Sequence, residues 1–144
     1  MDERRKSQRI AAKIAVDLLL ADESGEALAG PVGVEINTLS LHGASIVLPS
    51  MQADGLHFFF ACNYREWCCL KLRFVDGSGR GHFISCRPAW FNKELDKRPM
   101  NYTLGLEFSK AEEHDQIKLL DRIARGKSEK ALFEVIGDFF KKQL

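Results

Sequence analysis

The hydropathy period of this chain changes once, at Ser109, and that change limits the possible folds more than any single motif. Before it, apolar residues come in short runs rich in β-branched and aromatic types, cut by turn residues. Residues 15–21, 32–37, 44–48, 67–75, 81–86 and 102–108 read as strands. Residues 56–62 form an aromatic-rich run, and 88–100, with Pro88 and Pro99, read as irregular. The stretch from Val75 to Arg80 places Asp-Gly and a second glycine between two apolar runs, which is the strongest hairpin signal present. From Ser109 onward the spacing is helical. Ser109-Lys110-Ala111-Glu112 has the form of a capping box. Ile117, Leu120 and Ala124 then share one face, and Gly126 marks a stop. A second stripe follows at Leu132, Val135, Ile136, Phe139 and Phe140. Strands followed by helices predict a mainly β fold: a small antiparallel barrel of six or seven strands with C-terminal helices. Closure would also remove exposed strand edges. The 144 residues suit one domain, read as an arginine-bearing arm (1–13), a barrel (14–108) and a helical extension (109–144).

No run of 18 apolar residues occurs, so no membrane span is expected. The N-terminal apolar run is split by Asp17 and followed by acids, unlike a secretion signal, so a cytoplasmic location is expected. Cys62, Cys68, Cys69 and Cys86 lack Cys-x-x-Cys or zinc-finger spacing and read as small buried hydrophobes, without a metal. The four histidines are scattered, and no nucleophile, base or metal set stands out, so an enzyme is not expected. Gly126-Lys127-Ser128 has the end of a phosphate loop without its upstream glycine and reads as a helix break. The formal net charge of +1 hides an uneven distribution. Residues 15–70 carry Arg65 as their one strong base against seven acids, while residues 71–98 carry seven bases against three acids. A nucleic-acid polymer would want a continuous basic face, so small basic patches fit a small anion better.

Two short constellations are candidate binding sites. Arg5 and Arg9 are four apart, with Arg4 beside them. Guanidinium groups fork onto phosphate oxygens and stack on flat bases, though the same run also reads as a solvated basic tail. The corner from Asn37 to Gly43 joins two strand-like runs and offers Asn37, Thr38, Ser40 and a glycine. Those groups can meet a base edge, or can simply satisfy their own turn.

Taken together, the arginine pair before the first strand and the Ser-x-x-Gly corner after the second resemble the PilZ domain. That family comprises small β-barrel receptors for the bacterial second messenger cyclic di-GMP. Arg5 and Arg9 match its R-x-x-x-R motif, and Ser40 and Gly43 match the serine and glycine of its D/N-x-S-x-x-G motif. The Asp/Asn position falls on Thr38; Asn37 stands one residue early, where a one-residue slip along a strand faces the other way. Leu104-Gly105-Leu106-Glu107-Phe108 resembles the family's last barrel strand. The resemblance covers roughly residues 4–125 and implies a noncatalytic receptor with cyclic di-GMP as ligand and no cofactor. Its site would comprise Arg4, Arg5, Arg9, Asn37, Thr38, Ser40 and Gly43. The apolar stripe from Leu132 to Phe140 would either close one end of the barrel or pack on the first helix, or else offer a protein-partner or homo-oligomer contact through the C-terminal helix. The alternative, favoured by Thr38, is a nucleotide-independent adaptor acting through protein contacts.

Overall fold

A computed structural model describes residues 9–64, 66–94 and 101–126. Arg4, Arg5 and the stripe from 132 to 140 lie outside these residues. Six antiparallel strands close a barrel in the order β1-β2-β3-β8-β7-β6. They are β1 (Ile10–Ala21), β2 (Ala27–Leu39), β3 (Gly43–Leu48), β6 (Cys69–Val75), β7 (Gly81–Glu94) and β8 (Asn101–Phe108). Between β3 and β6 lie a two-stranded hairpin, β4 (Gln52–Ala53) with β5 (Leu56–His57), and a helix of about two turns, α1 (Phe58–Tyr64). A 3-10 turn (Ala111–Glu113) leads into α2, helical over 114–126.

Period-two alternation fills the barrel. Ala12, Ile14, Val16, Leu18 and Leu20 of β1 face inward and meet Ile36, Ile46, Leu72, Ile84 and Leu104 from the other strands. The first strand begins at Ile10, so residues 10–13, assigned to the arm from the sequence, belong to β1, with Ile10 paired to Leu39 and Ala11 to Thr38. Ala12 continues the inward alternation, but a side chain that small gives little hydropathy signal beside Lys13. Strand β7 also runs on through Pro88 to Glu94, where the sequence suggested irregular chain. Its pairing with β8 overrides the proline, and a register shift between Pro88 and Trp90 absorbs the misfit.

The two Asp-x-Ser-Gly hairpin turns are chemically alike. Asp22 Oδ1 accepts from Ser24 N–H, Ser24 Oγ–H and Glu26 N–H. Asp76 Oδ1 accepts from the matching groups of Ser78 and Arg80. His82 Nε2 lies 2.8 Å from Asp76 Oδ2, and this contact, with the Ser78 hydroxyl, holds the Asp76 carboxyl well below the usual carboxylate range.

The predicted capping box is replaced by a longer-range contact. The residue preceding the 3-10 turn, Lys110, makes no side-chain cap. Instead Glu113 reaches back to β7, accepting from Ser85 N–H at 2.7 Å and Ser85 Oγ–H at 3.0 Å, while Ser109 N–H donates to Ser85 O. The chain leaving β8 thereby satisfies Ser85, the β7 residue next to the last β7–β8 pair (Cys86 with Phe108), and fixes where α2 starts. Ile117, Leu120 and Ala124 are buried in the core, on the one face their spacing predicted.

Helix α1 is capped by a histidine. Phe59 N–H and Phe60 N–H both donate to His57 Nδ1 at 3.2 Å. The ring packs 4.4 Å from Phe60 and 5.4 Å from Phe91. This arrangement needs the neutral imidazole, and burial lowers the affinity of His57 for a proton below its ordinary value of 6.5. The unfolded chain takes up the proton near that ordinary value while the folded chain resists it, so stability falls as pH drops through and below about 6.5. Denaturation midpoints at pH 7.5 and 5.5 will read this. His57→Asn, which caps without titrating, is expected to lose less stability between the two pH values than the wild type. His57→Ala is expected to cost about 1 kcal/mol at the higher pH through loss of the cap.

Candidate functional site

The corner between β2 and β3 is built by Ser40 and Gly43. Ser40 N–H donates to Gly43 O at 2.9 Å, and the Ser40 hydroxyl donates to the same oxygen at 3.4 Å. That hydroxyl also accepts from His42 N–H at 3.2 Å. Ser40 is 5% exposed, so its side chain shapes the corner from inside. Gly43 faces β8 so closely that a β-carbon there would fall 2.3 Å from Leu106 O. The glycine is therefore required by strand packing, besides whatever it offers a ligand.

One row on the outer side of the barrel wall runs next to this corner, exposed at Ala11 and Trp90 but buried at Ser45 and Gly105. Ala11 pairs with Thr38, Thr38 with Ser45, Ser45 with Gly105, and Gly105 with Trp90. The Thr38 and Ser45 hydroxyls lie 2.7 Å apart. The Trp90 indole lies against Gly105, where a β-carbon would come within 2.3 Å of the ring, and the side chain remains 39% exposed. The next row toward the corner pairs Gly43 with Glu107 and Glu107 with Arg87, and both charged residues are exposed. In the opposite direction, a groove of about 560 Å³ runs over Ala15, Gly33, Glu35 and Val47. It ends at Asp17, which accepts from Arg73 Nη2 at 2.5 Å.

Arg9 stands at the edge of this surface. It is exposed and immediately precedes Ile10, whose partner Leu39 immediately precedes Ser40. Continuing that antiparallel register by one step brings Arg9 level with Ser40.

No protein-family model matches the chain, and no curated protein matches it in sequence. Solved structures do match. The PilZ domain of YcgR from Escherichia coli, solved with c-di-GMP, aligns over 89% of this chain and 99% of its own, at 14% identity and a TM-score of 0.56. The inhibitor of motility MotI (DgrA) of Bacillus subtilis aligns over 89% of this chain at 19% identity and a TM-score of 0.51. This chain spans about half of that second protein, 53% of its length. The barrel has the fold of a PilZ domain.

On this barrel the structure gathers Arg9, Asn37, Thr38, Ser40 and Gly43 at one end, while Arg4 and Arg5 lie outside the described residues. Sequence reasoning did not join Ser45, Gly105 and Trp90 to them. A signal was available: a glycine in the middle of an apolar strand often marks a close approach, here by an indole. The cysteines lie elsewhere. Cys62, Cys68 and Cys86 line a separate cavity of about 430 Å³, and all four thiols are free. Burial pushes the Cys62 thiol up to about 12 and raises Cys86 as well, which keeps both protonated. Among the described residues no group of three or more His, Cys, Asp or Glu is placed to hold a metal ion. No helix among them is long and apolar enough to cross a membrane.

Proposed function

We propose that the chain belongs to the PilZ family and is a noncatalytic receptor for cyclic di-GMP. The observation that supports this reading is the pairing of Ile10 with Leu39, since Arg9 directly precedes the first and Ser40 directly follows the second, at the edge of a partly exposed polar and aromatic row. Arg9 and Arg5 fork onto the ligand's phosphates and stack on its bases, as guanidinium groups do. Ser40 and Gly43 hold the corner against which the ligand sits. Trp90 offers an exposed flat ring at the far end of the row, and the groove over Ala15 and Gly33 gives a large planar ligand room. Binding needs no bond making: two phosphates, two purines and a pair of arginines suffice. Closure of the arm over the ligand then changes the surface beside the corner, and a protein partner reads that change. The C-terminal sequence with Leu132, Val135, Ile136, Phe139 and Phe140 is the candidate contact for that partner or for a second copy.

Calorimetric titration of the whole chain with cyclic di-GMP tests the reading. The expected result is a saturable heat that GMP at the same concentration does not produce, weakening as salt is raised. Absence of both heat and displacement of a fluorescent analogue at high micromolar ligand would sink it. One observation favours the adaptor alternative: the residue at the Asp/Asn position is a threonine whose hydroxyl is already engaged by Ser45. An adaptor would capture its protein partner equally with and without nucleotide.

A further inference from the structure

Counting along β2 as a regular strand, Asn37 and Thr38 should face opposite sides. They do not. Ile36 and Leu39 are both fully buried core residues, three positions apart. Two residues therefore occupy the outward interval that a regular strand fills with one. The ladder with β3 records the same irregularity: Ile36 pairs with Ile46 and Thr38 with Ser45, leaving Asn37 without a partner on that strand. This is a β-bulge, which adds a residue and re-aims its side chain. On the β1 side the register shifts at the same level, between Ala11 and Ile14. Asn37 is exposed, whereas Thr38 is half-buried with its hydroxyl spent on Ser45 at 2.7 Å.

We infer that Asn37, carried to the outer wall by the bulge, is the residue that reads the base edge of the nucleotide, in place of Thr38. The inference rests on the proposed cyclic di-GMP reading and deepens it. A carboxamide offers one acceptor and two donors, so it can make a two-point contact with the amide-like edge of guanine; a hydroxyl has a single donor. Asn37 sits one step from Thr38, whose β1 partner Ala11 is two residues from Arg9, so the carboxamide and the arginine flank the same stretch of wall. The bulge thus restores, from a neighbouring position, the side-chain amide that Thr38 lacks.

The test is calorimetry with cyclic di-GMP and cyclic di-AMP on wild type, Asn37→Ala, Thr38→Val and Arg9→Ala. Thermal unfolding first checks that each variant folds; Asn37 is exposed and its truncation should be tolerated. Asn37→Ala is expected to weaken cyclic di-GMP binding about tenfold or more and to narrow the preference over cyclic di-AMP. Thr38→Val is expected to change affinity by less than about threefold, since its hydroxyl serves Ser45. If Asn37→Ala binds as wild type while Arg9→Ala loses binding, the inference is overturned and the receptor reading stands. If Thr38→Val is the variant that loses guanine preference, the inference is equally overturned. If the wild type binds neither nucleotide, both fall together.

Discussion

Arg9→Ala is expected to weaken cyclic di-GMP binding by roughly tenfold to a hundredfold, the largest effect of any single change at the site. A hydrogen bond to a charged group contributes about 1.5–3 kcal/mol, and about 1.4 kcal/mol is a factor of ten in affinity. Arg9 has two such contacts to lose if its guanidinium grips a phosphate with both prongs. Arg9→Lys keeps the charge and loses the fork, so it should fall between the two. Arg80→Ala, an exposed arginine in the β6–β7 turn, should bind as wild type and controls for net charge. Titrations at two salt concentrations separate the contact from general attraction: the Arg80 control responds to salt as the wild type does, whereas Arg9→Ala responds less. Equal binding by Arg9→Ala and wild type would remove the arm from the mechanism. The expectation is specific because Arg9 directly precedes Ile10, which backbone pairing holds against Leu39 beside the corner.

That pairing illustrates what the sequence discloses and what it hides. Local signals were readable. The Asp-Gly-Ser-Gly hairpin works through hydrogen bonds within five residues, and the α2 face through spacing within eight. The closed barrel followed from counting short strands before one change of period. What stayed hidden depends on partners distant in the chain. Pro88 looks like a strand breaker until β8 pairs past it. Glu113 looks like an ordinary exposed acid until it meets Ser85, 28 residues away. The bulge at Asn37 exists because Ile36 and Leu39 both claim the core, and only the fixed neighbours β1 and β3 create that demand. At the corner, composition disclosed the residue types but not what each does in the fold. Ser40 and Gly43 are occupied in building the turn and admitting Leu106 O, roles that depend on strand pairing rather than on the motif alone.

Helix α1 was the element least visible beforehand, because seven residues cover too little chain to display a 3.6 period and three consecutive phenylalanines suit a strand as well. Its structure separates those phenylalanines sharply. Phe58 is fully buried in the core and tied to the preceding loop through its N–H to Met51 O at 2.9 Å, whereas Phe60 is 42% exposed. Phe58→Ala is therefore expected to destabilise the domain by about 3–5 kcal/mol, the usual cost of emptying a buried aromatic site. For a domain whose whole stability is of order 5–15 kcal/mol, that lowers the thermal midpoint by roughly 10 °C or more. Phe60→Ala should cost about 1 kcal/mol or less, and Phe58→Leu should recover a good part of the loss. Urea and thermal unfolding of the three variants decide the matter, and equal effects from Phe58→Ala and Phe60→Ala would refute this placement of α1. The register adds a functional arm to the test. Gly43 pairs with Glu107 and Leu48 with Tyr102, so α1, which follows the Leu48 end of β3, lies at the end of the barrel away from the Ser40–Gly43 corner. Phe58→Ala protein that remains folded at low temperature should then bind nucleotide with unchanged affinity, and Arg9→Ala protein should unfold at the wild-type midpoint. Stability and recognition would part along the barrel axis, with the core plug at one end and the ligand surface at the other.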